Sequence, residues 1–522
     1  MPAHLLIVGL DAMEATLIDR GIASGSLPAF SRFAGSAAAL TLDSPMHTYP
    51  GAIWPEINTG RSAETLGLYF HPCQLRTGDP VPRRLPATAI DATQDWWHTA
   101  GDAGRRVLVL DVPHSVPRPG TNGIHVTDWG NHDRPWDAAS DPPEALDEVR
   151  ALVGDHPIGR CDHQVRNGRI ASYRRLVTDL LDGVERRTRM SEALLAREHW
   201  DLAMIAFTES HCVGHQYWAF TDPRHPVALP DRPPDLAGAI DTVYRAIDTG
   251  FGRLVDAAGP HASVMVLASH GMGPYVGGYQ LLPEVLVRLG LRPRPVAVAA
   301  VPSRLPPRVR AGLRRVVPDR LRWRRLALAG TLAHHDLISP RTKATALLNN
   351  RCGAIRLNLR GREPYGSVDP GPEADALLAM LRRELEALTD PRSGERIVVA
   401  THSPTAARSG RGGCHPDLPD LVVDFHTGLG AIEACESPRV GRIDVPLWTR
   451  DRRPDGWPVA LGRTGDHTPE SRLWIRAPGI GRGFTPGQAA SVRDVGPTAL
   501  RLLGVDIPHG VEGRALVPRA EG

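Results

Sequence analysis

The chain has 522 residues, 42% of them hydrophobic and 23% charged, with 61 Lys and Arg against 58 Asp and Glu for a formal net charge of +3. That is ordinary globular composition with material for a sizeable core, in one large unit with insertions or in two or three units. The near-neutral balance gives nucleic-acid binding no electrostatic support. Six cysteines are scattered without a Cys-x-x-Cys pair, a usage that points to reduced thiols and a cytoplasmic protein. No apolar run approaches the roughly 18 residues of a spanning helix, so no membrane partner is expected.

In chain order, Leu5-Leu6-Ile7-Val8-Gly9-Leu10 reads as a buried strand that stops at Asp11, and Glu14 to Ile18 as helical. A loop is expected from there to Ser44. Residues 92–97 read as helical, Arg106 to Leu110 as a second buried strand closed by Asp111, and 143–200 as helical. Asp201 to Phe207 is a third apolar run, leading into Glu209-Ser210-His211-Cys212-Val213-Gly214-His215. Ser263 to Leu267 is a fourth, ending at Ser269-His270-Gly271-Met272-Gly273. Short continuous apolar runs of this kind are those of parallel strands buried on both faces. Strand and helix alternation then predicts a doubly wound, mostly parallel α/β sheet with helices on both faces.

Residues 291–345 break the pattern with Pro306, Pro307, Pro318 and a series of arginines including Arg304, Arg314 and Arg325. They read as a surface insertion or cap with a solvated basic face. The expected division is residues 1–290 as the N-terminal part of the core, 291–345 as the insertion, and 346–522 as the C-terminal part of the same core. A helix is expected over 494–503.

The chemistry sits where apolar runs stop. Ligands of open α/β sheets bind at the carboxyl ends of the strands, and here Asp11, His211, His215, His270 and His467 fall at or beside such ends. His211 and His215, four apart, lie on one face of a helix, as two ligands of one metal require. Three neutral imidazoles with a carboxylate suit Zn2+ better than magnesium or calcium. Cys212 is a further soft donor or a buried spectator.

These segments resemble the alkaline phosphatase superfamily, in its type I phosphodiesterase/nucleotide pyrophosphatase branch, over almost the whole chain. Leu10-Asp11 resembles the opening metal aspartate, and Ala52-Ile53-Trp54-Pro55 ahead of Thr59-Gly60 the nucleophile segment. Ser210 to Trp218, Ser269-His270-Gly271-Met272-Gly273 and Gly465-Asp466-His467-Thr468-Pro469-Glu470 resemble the remaining metal motifs. Asn358 to Pro364 and Pro419-Asp420-Leu421 are further family-like stretches.

The resemblance implies an alkaline-phosphatase-like core with one or two divalent ions. His211, His215 and His467 would hold one; Asp11, His270 and the Ser269 position would hold the other. Three departures stand out. His211 replaces a usual Asp, and Ser269 replaces a usual Asp. Counting back from Thr59-Gly60 places Pro50 where the hydroxyl nucleophile belongs, which leaves Thr48 as the nearest hydroxyl. Arg360 and Arg362 are candidates for substrate contact or for structural ion pairs. The function implied is metal-dependent hydrolysis of a small phosphate or sulfate ester. Sulfuryl or phosphoryl transfer to another acceptor, or a non-catalytic binding role, are the alternatives.

Overall fold

The computed structural model describes residues 3–517, apart from 71–72, 80–81, 88–90, 92–93, 132–133, 159–168, 228, 295–336, 338, 405–414, 449–451, 455 and 459–460. A nine-stranded sheet carries the site. Across it the strands run Ala490–Ser491, Ala38–Asp43, Ser471–Arg476, Ser263–Ala268, Ala3–Leu10, Trp200–Phe207, Val107–Leu110, Gly123–Thr127 and Ala139–Asp141. The five from Ser263–Ala268 to Gly123–Thr127 are parallel neighbours. Ser471–Arg476 and Ala139–Asp141 run antiparallel to theirs. The expected doubly wound, mostly parallel sheet is therefore the observed one.

Its central strands are apolar throughout because both faces are covered. Leu6, Val8 and Leu10 point into one hydrophobic cluster, and Leu5 and Ile7 into the other. The first cluster includes residues of helices Ala15–Ser24, Pro28–Ala34, Ile170–Arg197, Glu209–Thr221 and Ala239–Ala258. The second includes residues of Ile53–Thr59, Trp96–Asp102 and Val495–Leu502. Strand Ala38–Asp43, next to the sheet edge, instead alternates buried and exposed residues, as a strand with one wet face does.

Several boundaries differ from expectation. The stretch expected as loop up to Ser44 contains helix Pro28–Ala34 and strand Ala38–Asp43. The strand's buried set, Ala38, Leu40 and Leu42, includes a small residue that weakens the period-2 signal. The helix expected over 92–97 starts at Trp96. The stretch 143–200 is two helices, Glu144–Val153 and Ile170–Arg197, followed by the strand starting at Trp200.

The chain divides into two compact units. One comprises residues 1–66, 85–276 and 447–522, and the other residues 67–84 and 277–446. This differs from the division expected above, because residues 346–446 do not join the large sheet. They build a separate antiparallel sheet in the order Ala344–Asn349, Cys352–Leu357, Leu421–Phe425, Val398–His402, with helix Pro372–Glu386. Residues 295–336 and 338 of the Pro- and Arg-rich insertion lie outside the described residues. Among the described residues no helix is long and apolar enough to cross a membrane. Cys435 is a buried free thiol; Cys161 and Cys414 lie outside the described residues.

Helix Ile53–Thr59 buries every side chain, including Glu56. Glu56 accepts the Ala63 N–H at 2.7 Å and lies 3.9 Å from Arg493. Burial pushes its carboxyl up to about 7, against the opposing pull of Ala63 and Arg493. The folded pKa lies above the unfolded one, so this group's stabilising contribution is full below about pH 4.5 and is lost as pH rises through 7. Relative to Glu56→Gln, the wild type should lose on the order of 3 kcal/mol of unfolding free energy between those limits. Paired urea titrations read this directly, and a gap that does not change with pH would mean that burial leaves the Glu56 pKa where it stands in the unfolded chain.

Candidate metal centre

The strand register sets the site. Leu10 pairs with Phe207 on one side and Ala268 on the other. The Asp11 N–H donates to the Phe207 carbonyl at 2.9 Å, and the Ser269 N–H donates to the Leu10 carbonyl at 3.2 Å. Three strands thus end at one level, which places Asp11, Thr208 and Ser269 side by side.

From the Phe207 end, helix Glu209–Thr221 starts at once, with Glu209 in its first turn, where a carboxylate complements the helix dipole. Ser210 Oγ donates to the Asp11 carbonyl at 2.6 Å. From the Ala268 end the chain passes Ser269 and His270 into Gly271–Pro274, which pairs antiparallel with Gly465–Thr468 and sets Met272 opposite His467. Glu14 fastens this ribbon: its Oε2 accepts the Met272 N–H at 2.9 Å and the Thr468 hydroxyl at 3.0 Å.

His211, His215 and His467 converge, all buried, with their ligand atoms within 4.8 Å of one another. His211 Nε2 lies 3.1 Å from His215 Nε2 and 2.8 Å from His467 Nε2. His215 Nδ1 lies 2.8 Å from the Gly465 carbonyl. A carbonyl only accepts, so neutral His215 carries its proton on Nδ1 and turns the Nε2 lone pair inward. A tetrahedral zinc ion with Zn–N near 2.05 Å holds its nitrogens roughly 3.3 Å apart, close to the spacing here. The three histidines therefore fit one divalent ion.

The other expected site residues are arranged differently. Asp11 Oδ1 accepts the Trp54 indole N–H at 2.8 Å. Ser269 Oγ lies 3.0 Å from His270 Nδ1 and 3.4 Å from Asp11 Oδ1. The His270 ring packs edge-on against His467, with centroids 4.4 Å apart. Thr48 ends the short 3-10 turn Pro45–His47, half-buried, and its hydroxyl donates to the Pro45 carbonyl at 3.3 Å. Arg362 lies in the second unit, in a two-pronged pair with Asp420 (2.7 Å for each prong), and Arg360 pairs with Asp369 at 2.7 Å. Of the two alternatives for these arginines, the structure displays ion pairing.

Beside the histidines lies a buried charge network absent from the sequence expectations. Arg187, fully buried, donates to Asp111 at 2.7 Å, to Glu209 at 3.1 Å and to the Gly130 carbonyl at 3.0 Å. His156 Nε2 lies 3.0 Å from Glu209. Desolvation would raise the Glu209 carboxyl, but Arg187 and His156 overcome it and hold the group down at about 2. Trp54, Glu14 and Arg187 offered no local sequence signal, because each partner is distant in the chain.

The helix and the ribbon meet backbone to backbone. A Cβ on Gly465 would sit 2.2 Å from the Gly214 carbonyl oxygen, and one on Gly214 would sit 2.6 Å from Met272 Cγ. Gly465→Ala must push the ribbon off the helix. We expect it to destabilise the fold by about 1–3 kcal/mol and to weaken the affinity for any divalent ion held by the three histidines by roughly tenfold or more. Thermal unfolding and chelator competition measure the two effects; unchanged ion affinity would show that the close approach does not set the ligand geometry.

Comparison with known proteins agrees with this architecture. Residues 5–440 match the family model "Type I phosphodiesterase / nucleotide pyrophosphatase". No curated protein matches the chain. Among solved structures, phosphonoacetate hydrolase from Sinorhizobium meliloti 1021, bound to phosphonoformate, is 13% identical with a TM-score of 0.50, covering 96% of each chain. Murine ectonucleotide pyrophosphatase/phosphodiesterase 5, an inactive form in complex with AMP, is 12% identical with a TM-score of 0.45, covering 97% of each chain. The first of these likenesses extends to the fold. The family match spans most of the length, and with it the chain belongs to the type I phosphodiesterase/nucleotide pyrophosphatase family, phosphoester-hydrolysing enzymes of the alkaline phosphatase superfamily, whose members use divalent metal ions.

Proposed function

We propose that this protein is a zinc-dependent hydrolase of small phosphate esters, with phosphodiesters as the first class to test. The observation that carries this reading is the convergence of the His211, His215 and His467 Nε2 atoms at the strand ends. Three imidazoles leave an open position of the kind catalytic zinc sites keep. A divalent ion held there supplies positive charge that offsets the negative charge of the ester during displacement.

The protein's own groups do the rest. The Gly465 carbonyl fixes the His215 tautomer, and Glu14 fixes the ribbon that carries His467. The burial of all three histidines keeps bulk water from competing for their nitrogens. Thr48 is the proposed nucleophile. Its hydroxyl oxygen would attack phosphorus and expel the alkoxide, its proton passing to solvent and solvent returning one to the alkoxide to give the alcohol; water would then cleave the phosphothreonine, one hydrogen restoring the hydroxyl and the oxygen staying on phosphorus. That two-step course splits one difficult displacement into two easier ones.

Turnover of bis-p-nitrophenyl phosphate, p-nitrophenyl phosphate and p-nitrophenyl sulfate separates diester, monoester and sulfate chemistry. EDTA should abolish activity and zinc should restore it. His467→Ala should lower kcat/KM by roughly a hundredfold or more, in line with the loss of a metal ligand. Full turnover in EDTA, or unchanged kcat/KM in His467→Ala, would overturn the metal-dependent reading.

Thr48→Ala should lower kcat by about a thousandfold or more if the hydroxyl is the nucleophile. A variant that retains full kcat would remove Thr48 and the covalent step, leaving direct attack by water. An increase in product formed when glycerol replaces part of the water would favour transfer to an organic acceptor over hydrolysis.

A further inference from the structure

Helix Glu209–Thr221 supplies two of the three imidazoles, and its residues from Glu209 to Phe220 are all buried. Its first turn is held from outside. A threonine at a helix cap ordinarily bonds the N–H groups of that turn, but Thr208 makes no such side-chain bond. Its hydroxyl donates to the Gly130 carbonyl at 2.9 Å and accepts from Arg187 at 3.3 Å. Resting on the assignment of His211, His215 and His467 to an ion, we infer that Arg187 is a positioning residue for that ion. Through Glu209 and Thr208 it fixes where the helix starts, and so where His211 and His215 stand against His467.

The anchor is a strand end. Asp111 follows strand Val107–Leu110, and its carboxylate accepts the Trp129 N–H at 2.9 Å, the Gly130 N–H at 2.6 Å and the Arg187 guanidinium at 2.7 Å. Arg187 carries that position across to Glu209, donating to Oε1 at 3.1 Å. Glu209 Oε2 accepts the Thr208 N–H at 3.1 Å. A planar guanidinium presents its donors in a rigid fork, so these bonds set a direction as well as a distance.

Two glycines make room for the arrangement. A Cβ on Gly130 would lie 2.6 Å from an Arg187 nitrogen and 3.0 Å from the Asp111 carboxylate. One on Gly183 would lie 2.5 Å from His156 Nε2 and 3.3 Å from Glu209 Oε1. Gly183 sits inside helix Ile170–Arg197, where glycine is less favourable than alanine. The contact of His156 Nε2 with Glu209 at 3.0 Å gives the reason for it, because a methyl group would occupy that space.

The ion site tolerates little displacement, since metal–ligand distances hold to about 0.2 Å. His211 and His215 ride on one helix and keep their mutual spacing wherever it moves. His467 comes from the ribbon strand Gly465–Thr468, so a shift of the helix start falls on the third corner of the site.

Zinc affinity of the full-length protein, read by chelator competition, tests this without recourse to activity. The visible spectrum of the cobalt-loaded protein reads ligand geometry. Arg187→Lys keeps the charge and loses the fork; Gly183→Ala keeps every charge and displaces His156 from Glu209. Each should weaken zinc binding by about tenfold or more and change the cobalt spectrum. Leu500→Ala, in the second hydrophobic cluster, is the control. It should lower the melting temperature and keep the wild-type affinity and spectrum. Wild-type affinity or an unchanged cobalt spectrum in either folded variant would overturn the inference. So would an equal loss of affinity in Leu500→Ala, which would mark the effect as one of stability alone. In those cases loss of zinc in His467→Ala leaves the three-histidine assignment standing, whereas a wild type that binds no zinc overturns both. Should Arg187→Lys fail to fold by circular dichroism, Gly183→Ala decides the matter.

Discussion

The site depends on the register of three parallel strands. Leu10, Phe207 and Ala268 end at one level, tied by backbone bonds from Asp11 to Phe207 and from Ser269 to Leu10. A parallel sheet can do this only when apolar side chains fill both faces, since a slip of one residue would send every side chain to the opposite layer. The alternating assignment of Leu5, Leu6, Ile7, Val8 and Leu10 to two separate clusters is the packing that forbids such a slip. Catalytic geometry here is a consequence of core packing several residues away.

On that rim, buried charge is arranged for position. Arg187 spans the strand end at Asp111, the loop at Gly130 and the first turn of the helix that carries His211 and His215. Ion pairs of this kind contribute modestly to stability, since desolvation cancels much of the attraction, yet removing one member leaves a bare buried charge. Arg187 is therefore better understood as a constraint on where the helix begins. Glu14 plays the same part for the ribbon, with one carboxylate capping its own helix and holding two groups of a distant strand pair.

Much of this could be read from the residues before any coordinates, because buried parallel strands and the polar residues that stop them are both local signals. Asp11, His211, His215, Ser269, His270 and His467 all stood at run ends, and the family pattern joined them. What was hidden was everything set by long-range pairing. Arg187 lies beside half-exposed Arg186 and near exposed Arg189, and nothing in the helix pattern marks it as the buried one. Trp54 reads as an ordinary core aromatic, because its polar handle matters only once Asp11 is beside it. Strand Ala38–Asp43 escaped because alanine gives a faint period, and the separate fold of residues 346–446 escaped because its strands also read as apolar runs. Ser269 was visible as a departure; that its hydroxyl meets His270 and Asp11 was not.

The approach of His467 to His211 joins residues 256 positions apart. An ion at that junction would act on the chain as a clasp as well as a reagent. Loop closure over such a span costs conformational entropy before any contact repays it, and contacts of high sequence separation slow folding. Because the complete set of ligands exists only after the ribbon Gly465–Thr468 has docked on the helix Glu209–Thr221, such an ion would bind the finished fold and not its precursors. Metal supply would then govern how long the ribbon Gly465–Thr468 stays seated, and scarcity of the ion would first be felt as exposure of this segment to proteolysis.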